Sequence, residues 1–169
     1  GDVYKRQGLG KDIFSALTSG TRNTVVGYEA GRDLEGGQKN VLVGYGCGNE
    51  VTSGSNNVFM GDNAGTNVTT GGSNTLIGKG AGDSIVDTDS NTAVGFEALQ
   101  ACTGQENVAL GYKAGYSHTT AANGIYIGMR AGYGANSTGH TNIYIGNDVA
   151  YAATTGYNNI VLGSNAGYV

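Results

Sequence analysis

Two histidines, two cysteines and thirteen acidic residues are the side chains to which metal, nucleophilic or acid–base chemistry would fall in this chain. A metal centre needs its ligands gathered in pairs or triads. His118 and His140 stand 22 residues apart, and neither has a Cys or His beside it. No metal site is expected. The calcium-binding G-G-x-G-x-D nonapeptide is absent, and Asp62, Asp83 and Asp148 read as solvated surface carboxylates. No G-x-x-x-x-G-K-[ST] phosphate loop is present. Whether Glu29 could meet Glu97 as an acid–base pair, or Cys47 could meet Cys102, depends on the fold. The remaining candidates are Tyr116, Tyr133, Tyr151 and Tyr168, spaced 17, 18 and 17 residues apart. Such a stripe of aromatics would suit a receptor or glycan surface, and it would equally follow from simple stacking.

That spacing belongs to the whole chain. The glycine following each short apolar run is Gly27, Gly44, Gly61, Gly78, Gly95, Gly111, Gly128, Gly146 and Gly163, with intervals of 17, 17, 17, 17, 16, 17, 18 and 17. Gly10 marks a partial earlier copy. Four residues before the glycine stands Asn23, Asn40, Asn57, Asn74, Asn91, Asn107, Asn142 or Asn159; only Gly124 breaks that column. The position three before is β-branched throughout, from Thr24 and Val41 to Ile160, and the position one before is aliphatic or Met. Three after comes a small residue such as Ala30, Cys47 or Ala64, usually with a glycine next to it. Seven after comes a second apolar column, Leu17, Leu34, Val51, Val68, Ile85, Cys102 and Ala153, interrupted by His118. Polar turns such as Thr52-Ser53-Gly54 close each unit.

A 17-residue unit cannot bury its own apolar face, but stacked neighbours can. The fold expected is all-β: a parallel β-solenoid, or β-roll, of about ten coils. Each coil would supply a strand, a corner, a second short strand and a turn. No segment carries a helical period, and the glycine load disfavours helices. Glu29 and Glu97 would then lie four coils apart, too far for joint acid–base work. Cys47 and Cys102 would lie three coils apart, or roughly 15 Å, beyond the reach of a disulfide.

The columns three and one before the glycine share one face of the strand, here expected to be the core. The column between them, including Val25, Leu42, Phe59, Leu76, Tyr126 and Tyr144, should then point outward. An apolar outward stripe is unusual for a monomer. Packing as a homo-oligomer, a homotrimer or an end-to-end filament, is therefore expected, the alternative being a sheet covered on both faces within one chain. The Asn column is expected to serve structure, its stacked side chains hydrogen-bonding to one another and capping the turn backbone, with a ligand-binding ladder of amides as the alternative.

The run Asn91-Thr92-Ala93-Val94-Gly95-Phe96-Glu97-Ala98-Leu99 resembles repeats of bacteriophage tail-fibre and related virion proteins, N-T-A-V-G-Y-x-A-L followed by a T-T-G turn. More loosely, it is similar to the head repeats of trimeric autotransporter adhesins, whose units are shorter. The resemblance covers residues 8–169. It implies a parallel β-roll, often trimeric, at a virion or cell surface, and says little about ligand.

Composition narrows the function further. A net charge of −4 and scattered Lys and Arg exclude a nucleic-acid groove. No apolar run approaches the ~20 residues of a membrane helix. Residues 1–7 read as a leader derived from a sequencing adapter, with a genuine polar leader as the alternative, and residues 8–169 as the repeat domain of a longer chain. The sequence thus points to a non-enzymatic structural protein without cofactor, extracellular or on a virion. A fibre shaft is the first reading. The alternatives are an adhesin-like head binding a receptor or glycan, and a self-assembling secreted filament. Asn67-Val68-Thr69 and Asn136-Ser137-Thr138 match the glycosylation sequon.

Overall fold

The computed structural model describes residues 6–134, 139–152 and 156–167. Among them run ten short strands: β1 (Arg6–Leu9), β2 (Asn23–Val26), β3 (Val41–Val43), β4 (Val58–Met60), β5 (Thr75–Ile77), β6 (Thr92–Val94), β7 (Val108–Leu110), β8 (Ile125–Ile127), β9 (Ile143–Ile145) and β10 (Ile160–Leu162). They form one parallel sheet in sequence order, β1 to β10. The chain is a β-solenoid. With strands about 4.8 Å apart, nine steps give a rod about 43 Å long.

Register follows the sequence columns. Thr24 pairs with Val41, Val41 with Val58, Val58 with Thr75 and Thr75 with Thr92, and so on to Ile160. Arg6 and Gln7, assigned above to the leader, stand in β1 opposite Asn23 and Thr24. The 16-residue interval between Gly95 and Gly111 leaves pairing intact, since Thr92, Ala93 and Val94 still face Val108, Ala109 and Leu110. The missing residue is absorbed in the turn, where Gly104 follows Cys102 after one residue while Gly54 follows Val51 after two.

The two faces of the sheet are the reverse of the sequence expectation. The column expected outside is the core: Val25, Leu42, Phe59, Leu76, Ala93, Ala109 and Tyr126 are fully buried. The β-branched column is half-buried from Thr24 to Ile143 and exposed at Ile160, and Val26, Met60, Val94, Leu110 and Ile145 lie exposed beside it. Parity carries the reason. The buried Asn column lies two residues from the Val25 column, so both point to the side where the Ala30 and Leu34 columns close the coil. Alternation alone could not choose between two apolar faces.

The second strand expected around the Leu34 column does not form. Among the described residues the return path is turns and bends, although its backbone also bonds from coil to coil. Gly48 N–H donates to the Ala64 carbonyl and Glu50 N–H to that of Thr66. The chain achieves this by alternating left-handed with ordinary residues: Asn63 has φ 55°, Gly65 57° and Ser73 58°.

Two glycine rows are needed for this path. The row from Gly10 to Gly163 has φ between 121° and 147°, and a Cβ on any member from Gly10 to Gly146 would strike the carbonyl of the glycine one coil above. The row through Gly31, Gly48, Gly65, Gly82, Gly115 and Gly132 is left-handed and lies against the core side chains. Leu99 breaks that second row at φ 50° and is buried. Its coil and the next carry only Ala93 and Ala109 in the core column, and Leu99 reaches to Gly115, filling the space those alanines leave. Phe14 does the same in the first coil, against Gly8.

Candidate functional site

The Asn column forms a continuous series of clamps along the buried side of the coil. Asn57 Oδ1 accepts the backbone N–H of Asn74 at 2.9 Å, while its Nδ2 donates to the Gly71 carbonyl at 2.9 Å. Asn40 treats Asn57 and Gly54 alike, and Asn23 treats Asn40 and Gly37 alike. Each amide therefore ties the strand start and the turn of the next coil together. Direct amide–amide contact is secondary, as between Asn107 and Asn91 at 3.3 Å. Asn91 and Asn142 continue the pattern, with Asn142 accepting from Asn159 N–H at 2.9 Å, while the Asn159 amide donates back to Asn142 Oδ1. Gly124 interrupts it because the Tyr126 hydroxyl occupies the place its side chain would take.

The tyrosine column is brought together in the described part. Tyr116 and Tyr133 stack with centroids 5.0 Å apart, and Tyr133 and Tyr151 at 4.9 Å. All three rings are half-buried. Tyr168 lies outside the described residues. A second aromatic column, just after the row glycine, stacks Tyr28 on Tyr45 and Phe96 on Tyr112, each pair at 5.4 Å.

Lys113 joins the two columns. Its Nζ lies 5.9 Å from the Phe96 centroid, 5.6 Å from Tyr112, 4.9 Å from Tyr116 and 5.9 Å from Tyr133. It also pairs with Glu97 at 3.1 Å, which holds its ammonium above the ordinary lysine range. One coil on, Arg130 donates to Asp148 at 2.8 Å and lies 5.7 Å from the Tyr151 ring. Asp148 is thus a buried ion-pair partner, contrary to the expected solvated carboxylate. The sequence signal for these pairs was opposite charge at the same column in neighbouring coils.

Chemically, this corner offers ring edges and compensated charges. Within the described stack, Tyr133 meets a neighbouring ring on each of its two faces. His118, which interrupts the Leu34 column, is a core filler stacked on Tyr126 with centroids 4.1 Å apart. Burial pushes its imidazole down to about 4, against a smaller upward effect of the Gly132 backbone. Cys47 and Cys102 are buried and free, and burial pushes their thiols up to about 12 and about 11. Among the described residues, no three His, Cys, Asp or Glu side chains gather where they could hold a metal ion. No described helix is long and apolar enough to cross a membrane. The Asn67 amide donates to the Asp83 carbonyl at 2.8 Å, so that sequon is engaged in the fold; residues 136–138 lie outside the described residues.

Fold and side-chain columns define a parallel β-solenoid repeat protein with one continuous sheet. Comparison with protein-family models, curated proteins and solved structures gave no match.

Proposed function

We propose that the chain is a non-catalytic shaft segment of an extracellular or virion-borne fibre, in which the number of stacked coils sets the length. The observation that carries this reading is the unbroken in-register ladder from β1 to β10, with the glycine row and most of the Asn column repeated through it. Such a one-dimensional array transmits load from coil to coil and grows without changing its cross-section.

Self-association is part of the proposal. The outward sheet face is two columns wide and holds only Thr, Val, Ile, Leu and Met from β2 to β10. A continuous apolar face of this kind is what one partner contributes to a stable interface. Parallel copies packed on this face, as a trimer or a larger bundle, would remove that surface from water.

Small-angle scattering tests the reading. A variant carrying three additional 17-residue units should lengthen the rod by about 14 Å at constant cross-section. An unchanged length would sink the shaft reading. Light scattering should give a multimer that Val43→Lys and Val94→Lys disperse; a monomeric wild-type chain would remove the bundle. Specific retention on a glycan array, lost in Tyr133→Ala, would put a receptor-binding head in the shaft's place.

A further inference from the structure

The tyrosine column carries a reactivity that the shaft reading does not use. Tyr116, Tyr133 and Tyr151 present their rings to one another at 5.0 and 4.9 Å, inclined by 20° and 22°, with part of each ring open to solvent. Their backbones are held in neighbouring coils by the solenoid, so the encounter of two phenols is already arranged.

We propose that this column is a modification site where a one-electron oxidant of the haem-peroxidase and peroxide class couples neighbouring coils through dityrosine. Each phenol gives up one electron and its hydroxyl proton. The two phenoxyl radicals form a bond between ring carbons ortho to the oxygens, and the hydrogens on those carbons move to the oxygens, restoring both phenols. Two tyrosines and one hydrogen peroxide give one dityrosine and two waters.

The surroundings favour this outcome over loss of the radical. The chain has no Trp. Its two thiols are buried and protonated, while thiolate is the reactive form. The fold also supplies its own contrasts. Tyr28 and Tyr45 meet the same conditions at 5.4 Å, and both are exposed. Phe96 and Tyr112 stack at the same distance but lack one phenol. Tyr126 and Tyr144 are buried and inclined by 51°.

The experiment treats the dilute chain with a haem peroxidase and hydrogen peroxide, then maps linked peptides by mass spectrometry as pairs lighter by two hydrogens. Links 116–133, 133–151 and 28–45 are expected within single chains. Tyr133→Phe should remove the first two at least tenfold while keeping 28–45, and Phe96→Tyr should create a 96–112 link. The Phe96→Tyr arm decides the matter even if Tyr133→Phe fails to fold. Absence of links, links only between molecules, or links led by the exposed Tyr157 would overturn the proposal. The outcome is independent of rod length, so it stands or falls apart from the shaft.

Discussion

The coils from Asn23 to Glu106 and those from Asn107 onward solve the same packing problem differently. In the first region the core column is aliphatic or small apart from Phe59, and every coil carries the amide clamp. In the second, Tyr126, Tyr144 and His118 fill the interior, and the clamp is missing at Gly124. A large aromatic in the core column and an amide four residues from the glycine compete for one space when the ring points toward the turn. The backbone ladder does not register the exchange, since β7, β8 and β9 pair as their predecessors do. Glycine geometry is therefore the common requirement, and side-chain clamping is a local choice.

The largest effect should be the same in both regions. Gly61→Ala and Gly128→Ala each place a methyl against a carbonyl of the next coil at a φ of 140° or 125°. Each should destabilise by more than about 4 kcal/mol, or prevent folding, as followed by circular dichroism. Unequal losses would mean that the row is not the shared frame. Next comes the clamp. Asn57→Ala strands the Asn74 N–H and the Gly71 carbonyl, and chemical denaturation should show a loss of about 3 kcal/mol.

Acid should separate the regions. An unfolded His118 takes up a proton below about 6.5, whereas the folded one does so only near 4. The unfolded state therefore binds more protons, and stability falls as pH drops through that window, by about 2 kcal/mol at pH 5. His118→Leu, which installs the residue found at Leu17 and Leu34, should erase that slope in urea melts taken from pH 7 to pH 4.5. The smallest effect sharpens the trade itself. Gly124→Asn alone should destabilise through the Tyr126 ring, while Gly124→Asn with Tyr126→Leu should recover about 1 kcal/mol by completing the clamp series. A double-mutant cycle with no coupling would show that the two residues do not share a space.

Much of this was legible because equivalent positions recur. The glycine spacing alone defines the coil, and a column with eight Asn in nine units announces a repeated bond. Which strand face is internal was not legible from alternation, because Val26 and Val25 are equally apolar and the choice rests on the Ala30 and Leu34 columns beyond the strand. Parity with the Asn column held that information. The size variation from Ala93 to Tyr126 held more, since only a core filled from elsewhere, by Leu99 or Phe14, tolerates it. The Lys113 cluster stayed hidden for another reason. It joins residues of several columns across three coils, so no single column displays it.

The shortened turn after Cys102 has an implication for heredity. Because a lost residue there leaves every strand facing its proper neighbour, the DNA encoding one unit can recombine with that of the next even when the crossover is untidy. Descendants would differ in copy number while each remained foldable, making size a trait that drifts easily and that selection can adjust in steps of one module.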